Sequence, residues 1–141
     1  MKKVYENKRS ELEALCQDIS AFGSEFFITE EDLFALHLVV EEIFINIVDY
    51  GFDDNQPHSI EIDLKFNEGD IVLITIKDKG KPFNPLTDTQ APNLSAPLAT
   101  RQAGGLGVHF MKQMMDHVDY QRIDTENTLT LTKKVTLRKK P

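Results

Sequence analysis

Cysteine is nearly absent from this 141-residue chain, and so is any long apolar run. The single Cys16 rules out an intramolecular disulfide and any site built from several cysteines, which fits a reducing compartment. No apolar stretch approaches the roughly 18–20 residues needed to cross a bilayer, and the polar opening "MKKVYENKRSE" does not read as a signal peptide. The expected location is therefore the cytoplasm, with no membrane partner. Positive charge is also short: 16 Lys and Arg stand against 23 Asp and Glu, for a net charge of −7. Such a chain gains little from neutralising phosphates along DNA or RNA, so direct nucleic-acid binding is not expected. The basic end "KKVTLRKK" is a local exception and reads as a strand running into a solvated tail. Repeats and heptads are missing too, which leaves a single domain spanning residues 1–141 and large enough to bury a core without staples.

What is present is a sequence of well-marked elements. Leu12, Leu15, Ile19 and Phe22 recur at helical spacing and predict an amphipathic helix from about Glu6 to Gly23, stopped by that glycine. "TEED" at Thr29–Asp32 resembles a capping box and opens a second helix that runs to about Tyr50, where Gly51 ends it. "SIEIDLKF" and "DIVLITIK" alternate with period two and join through "NEGD" as an antiparallel hairpin. Asn84 to Gly105 holds three prolines and no periodicity, and loops this long inside a compact domain are usually functional lids or disordered segments. Leu106, Phe110, Met111, Met114, Met115 and Val118 then mark a third helix, its methionines filling core. "VDYQRID" and "NTLTLTKKVTL" supply two closing strands, and "KKVYE" adds a first one. The expected fold class is α+β: a two-layer α/β sandwich whose mostly antiparallel, mixed sheet is covered by helices on one face.

Three segments carry chemistry. In "VVEEIFINIVDYGF", Glu42 and Asn46 interrupt an apolar helix one turn apart on one face, and buried polar groups there need partners. An amide oxygen such as that of Asn46 is a hard ligand suited to Mg²⁺, and a carboxylate one turn away can take a proton from an attacking hydroxyl or water. Glu41, about 100° round the helix, points elsewhere. "DKGKPFNP" follows a strand, and its Asp78 can accept the hydrogen bond of an exocyclic amine such as adenine's. "GGLG", Gly104 to Gly107, precedes a helix directly, where free N–H groups attract phosphate. Taken singly, each also has an ordinary structural explanation: a surface helix face, a turn, a piece of helix punctuation. His37 and His109 have no second histidine or cysteine at ligand spacing, so a zinc site is not expected.

In this order, "EEIFIN…DYGF", "DKGKPFNP" and "GGLGVHFMKQMMD" resemble the N, G1 and G2 boxes of the GHKL ATPase/kinase superfamily, over roughly Thr29 to Lys134. The chain looks most like the bacterial anti-sigma-factor serine/threonine kinases. "KPFNP" favours them over histidine kinases, whose G1 box usually has a second glycine where Lys81 and Pro82 stand. By position, the resemblance implies that Glu42 is the general base, Asn46 coordinates Mg²⁺, Asp78 holds adenine and Gly80 makes room for the ring. It implies that Gly104, Gly105, Leu106 and Gly107 close the ATP lid around the phosphates, with Thr128 near adenine. Asn127 departs from the glycine usual before that threonine, and Tyr50 stands where the family often has histidine. Arg101 and Lys81 are the candidate cations beside the phosphates of this acidic chain.

The function so implied is an ATP-dependent serine/threonine kinase that restrains a sigma factor and phosphorylates an anti-anti-sigma partner of the STAS type. Homodimers are common in the family resembled. Two alternatives stay open: a nucleotide-gated adaptor without catalysis, and a detached histidine-kinase-like ATPase domain.

Overall fold

A computed structural model describes residues 1–84 and 111–139. The chain begins with strand β1 (Lys2–Glu6), a 3₁₀ turn (Arg9–Glu11), helix α1 (Leu12–Glu25) and helix α2 (Glu30–Tyr50). Strands β2 (Ser59–Asn67) and β3 (Ile71–Asp78) follow, then β4 (His117–Ile123) and β5 (Glu126–Lys134). Residues 111–114 are helical and lead into β4. The five strands form one sheet in the order β1-β2-β3-β5-β4. Every one of these pairings is antiparallel, so the sheet is not the mixed one expected. Hairpins join β2 to β3 and β4 to β5, and β5 returns beside β3, which leaves no parallel neighbour among the described strands.

The alternation seen in the sequence sorts the sheet into two faces. Ile60, Ile62 and Leu64 of β2, Val72, Ile74 and Ile76 of β3, and Leu129 and Leu131 of β5 are all buried together. Leu36, Val39, Val40, Ile43 and Phe44 of α2 cover them, with Leu15, Ile19 and Phe22 of α1. Met111 and Met115 complete this core, as expected of the methionine cluster. Val118, read as part of the third helix, instead lies on β4 opposite Leu131. Its helical spacing from Met114 and Met115 is coincidental, because the helix has ended by then.

Gly23 does not stop α1, which continues to Glu25. A Cβ on Gly23 would lie 2.6 Å from a methyl of Leu33, so this glycine lets α2 approach closely. The chain turns afterwards at Phe27, whose φ is 57°. Thr29 caps α2 by accepting from the Asp32 N–H. The capping box is only half formed, because the Asp32 carboxylate accepts from Thr136 N–H at 2.6 Å and pairs with Lys133 at 3.6 Å. The basic segment after β5 is thus tied across the start of α2 up to Arg138, whose N–H donates to the Phe27 carbonyl at 2.6 Å. It is not simply a solvated tail.

Candidate functional site

The inward row of β3 does not end in an apolar residue. Val72, Ile74 and Ile76 alternate into the core, and the next residue in that register is Asp78, only 7% exposed. Across the ladder Asp78 faces Asn127, 5% exposed, which heads the row continued by Leu129 and Leu131. Polar groups buried this deeply need hydrogen bonds. Asn127 Nδ2 donates to Asp78 Oδ1 at 3.1 Å and to the Lys81 carbonyl at 2.9 Å. Asn127 Oδ1 in turn accepts from the Tyr120 hydroxyl at 2.5 Å and from Arg122 Nη1 at 2.9 Å. The Gly80 N–H donates to Asp78 Oδ1 at 2.8 Å. Among the described residues Asp78 Oδ2 accepts no hydrogen bond, and since no buried side-chain polar atom among them is unsatisfied, this oxygen keeps some exposed surface.

Asp78 and Asn127 share a cleft with Asn46 of α2. Ile43, Ile47, Ile76 and Leu129 make most of its wall apolar, and Tyr50, Phe83 and Tyr120 add aromatic surface. An apolar slot with one available carboxylate oxygen suits a flat heteroaromatic ring that carries an amine. Burial pushes the Asp78 carboxyl above the usual carboxylate range, while the hydrogen bonds from Asn127 and Gly80 and the Arg122 guanidinium draw it back. The network therefore offsets part of the burial cost of the carboxylate without cancelling it.

Gly80 has a tighter role than leaving room for a ring. A Cβ there would sit 2.5 Å from the Gly51 carbonyl oxygen and 2.9 Å from Asp78 Oδ1. Lys81 N–H donates to that same Gly51 carbonyl at 2.8 Å, so the end of α2 is fastened to the end of β3 at this point. Gly80→Ala is expected to destabilise the fold by about 1–3 kcal/mol in urea unfolding, as overpacking against backbone does.

Glu42 stands one turn before Asn46 and does not line the same cleft. With Phe34, Leu38, Glu41 and Ile45 it borders a shallow groove on α2. Burial pushes its carboxyl up; Arg9 lowers it and Asp49 raises it further. Arg9 itself is held by Asp49, Nη2 to Oδ2 at 2.6 Å. Glu41 is hydrogen-bonded to His37 at 2.6 Å, in keeping with its pointing away from Asn46. Lys81 pairs with Asp53 at 3.1 Å beside the cleft.

Thr128 is absent from the cleft. It pairs with Lys77 in the ladder, and its flanking residues Asn127 and Leu129 are the ones that line the site. Strand alternation puts Thr128 on the other face, so Asn127 takes the place expected of it. The period of "NTLTL" held this information, since it sets Asn127 in phase with the apolar Leu129 and Leu131. Tyr120 and Arg122 left no sequence signal, because only strand pairing brings them to Asn127. Arg101, Gly104, Gly105, Leu106, Gly107 and His109, with the rest of the segment expected as a lid after Asn84, lie outside the described residues.

Comparison with known proteins places this geometry. The family described as histidine kinase-like ATPase domain matches residues 5–133. The chain is 35% identical over 99 residues to the serine/threonine-protein kinase BtrW of Bordetella bronchiseptica, covering 70% of this chain and 68% of that protein. It is 27% identical over 122 residues to the anti-sigma F factor of Anoxybacillus flavithermus, covering 86% and 82%. Among solved structures, the RsbU and RsbW domains of a Mycobacterium tuberculosis protein align with a TM-score of 0.66 at 12% identity, over 97% of this chain. This chain spans only about a third, 32%, of that larger one. The histidine kinase domain of an Erythrobacter litoralis blue-light activated kinase aligns at a TM-score of 0.56 and 16% identity, over 89% of this chain and 60% of its own. Both structural likenesses concern the fold. Since the family match runs from β1 almost to the end of β5 and takes in Glu42, Asn46, Asp78 and Asn127, the chain belongs to the histidine kinase-like ATPase domain family.

Proposed function

We propose that this chain is an ATP-dependent serine/threonine kinase that restrains a sigma factor and phosphorylates a serine on an anti-anti-sigma partner of the STAS type. One observation supports the reading above all others: Asn46 and Asp78, from distant segments, open into one apolar cleft. The printed names of two relatives, a serine/threonine-protein kinase and an anti-sigma F factor, point the same way.

In this reading Asp78 accepts a hydrogen bond from the exocyclic amine of adenine through Oδ2, while Asn127 and Gly80 hold Oδ1. The apolar wall formed by Ile43, Ile47, Ile76 and Leu129 excludes water from the ring. The donor chemistry at Asn46 fits Mg²⁺, a hard ion that keeps waters and phosphate oxygens and needs few protein ligands. Bound there, Mg²⁺ would neutralise charge on the β- and γ-phosphates. Glu42, one turn nearer the start of α2, takes the proton of the attacking serine hydroxyl, and burial suits its carboxyl to that task by raising its basicity. The backbone N–H groups of Gly105 and Gly107, with Arg101, are assigned to the phosphates, and residues 84–105 to the lid. A homodimer is compatible with this reading.

Calorimetric titration of ATP with and without Mg²⁺ tests the metal assignment. Wild type is expected to bind ATP more tightly with Mg²⁺, and Asn46→Ala to lose that difference while keeping metal-free affinity. An Mg²⁺ effect that survives in Asn46→Ala removes the assignment.

A further inference from the structure

The faces where α1 and α2 meet carry a second group of chemically active side chains, which the proposed kinase chemistry does not use. Cys16 and Ser20 stand one turn apart on α1, and His37 and Glu41 one turn apart on α2, so each pair shares a helix face. The His37 ring bridges the helices: Nε2 lies 3.1 Å from Ser20 Oγ, and Nδ1 lies 2.6 Å from Glu41 Oε2. Cys16 Sγ, an imidazole nitrogen of His37 and a carboxylate oxygen of Glu41 all lie within 4.8 Å of one another. All three residues are half-buried, reachable from the surface yet held by packing. The sequence hid this convergence, since Cys16 comes to His37 only through helix packing.

Ordinary interhelical hydrogen bonding explains the contacts of Ser20, His37 and Glu41 but gives the thiol no role. A sulfur, an imidazole and a carboxylate converging on one point are the donor types of a zinc site with three protein ligands and an open position. We propose that Cys16, His37 and Glu41 bind one zinc-class divalent ion that clamps α1 to α2, separate from the Mg²⁺ assigned to Asn46. Thiolate and imidazole select against Mg²⁺, so the two ions do not compete. Binding releases the thiol proton to solvent and shifts the imidazole proton from Nδ1 to Nε2, which then donates to Ser20 Oγ, while Nδ1 and Oε2 part by less than about an ångström to reach ligand spacing. Ser20 remains beside the ring as a hydrogen-bond partner that orients it. Glu41 directly precedes Glu42, so the ion would fix the helix segment that carries the proposed base.

Cobalt titration of the full chain, without nucleotide, tests this. Co²⁺ in place of zinc gives a thiolate-to-metal charge-transfer band in the near ultraviolet only when sulfur is a ligand, and Cys16 is the sole cysteine. One Co²⁺ per chain with that band is expected, displaced by equimolar Zn²⁺ and unchanged by excess Mg²⁺. Cys16→Ser should abolish the band, and His37→Gln or Glu41→Gln should weaken affinity by about 10-fold or more. Circular dichroism of each variant establishes folding, and the two α2 substitutions carry the test if Cys16→Ser misfolds. Absence of the band in wild type, or a band of equal affinity in both His37→Gln and Glu41→Gln, would overturn the site. Neither outcome touches the nucleotide cleft, so the kinase reading stands or falls separately.

Discussion

Glu42→Gln is expected to leave ATP affinity within about threefold of wild type while phosphoryl transfer to a serine-bearing partner falls about 10²- to 10⁴-fold, the usual contribution of a positioned general base. Binding survives because Glu42 lies outside the cleft that holds Asn46 and Asp78. Transfer fails because glutamine keeps the shape but cannot accept the hydroxyl proton. The pH profile adds a second readout. Burial raises the Glu42 carboxyl, so the folded protein keeps this proton to a higher pH than a free glutamate would. A base works only when deprotonated, so wild-type transfer should climb with pH through an apparent pKa above the ordinary glutamate value near 4.3. The glutamine variant should show no such limb. Labelled γ-phosphate transfer to a candidate partner, quantified as acid-stable phosphoserine, measures both effects. A variant as active as wild type would remove Glu42 as the base. No transfer by wild type itself would support an adaptor without chemistry, and acid-labile label would support histidine as acceptor.

Asp78→Asn should lower ATP affinity by about 10- to 100-fold, the range of a hydrogen bond to a charged acceptor. It should do so without unfolding the chain, since the isosteric amide can still accept from Gly80 N–H. The loss arises at the other carboxylate oxygen. Gly80 N–H and Asn127 Nδ2 both donate to Oδ1 and hold the amide oxygen there. The amide nitrogen therefore takes the Oδ2 position and presents a donor, not a charged acceptor, to the adenine amine. Arg122 also loses its long-range charge partner while keeping its bonds to the Gly80 carbonyl and Asn127. Calorimetry at fixed Mg²⁺, with urea unfolding alongside, separates the binding loss from destabilisation. Full affinity in Asp78→Asn would remove adenine recognition from this residue.

Much of this architecture was legible because its elements repeat at their own periods. Leu15, Ile19 and Phe22 read as helix, and the alternation through Val72, Ile74 and Ile76 predicts the inward face of β3. The same alternation carries on to Asp78, which explains why a carboxylate at a strand end is buried rather than idle in a turn. Glu42 and Asn46 stood out as polar breaks in an apolar helix. What escaped depends on contacts between distant segments. Gly23 looked like a stop because helix breaking is the commoner use of glycine, whereas here it admits Leu33. Val118 kept helical spacing across a boundary that only the pairing with β5 reveals. Asn127 was noticed as an exception to a pattern, but its four hydrogen bonds arise from β3, β4 and the turn after β3 together. Thr128 drew the assignment instead because it matches the family's residue type, even though the strand turns it outward.

The most direct test is competition between ATP and inosine triphosphate, which differ at the ring position where adenine carries its amine. If the Asp78 carboxylate recognises that amine in this cleft, wild type should prefer ATP by about 10-fold or more, and Asp78→Asn, whose amide nitrogen can donate to the inosine carbonyl, should lose or reverse that preference. Equal affinity of wild type for the two, or a preference undiminished in Asp78→Asn, would contradict it.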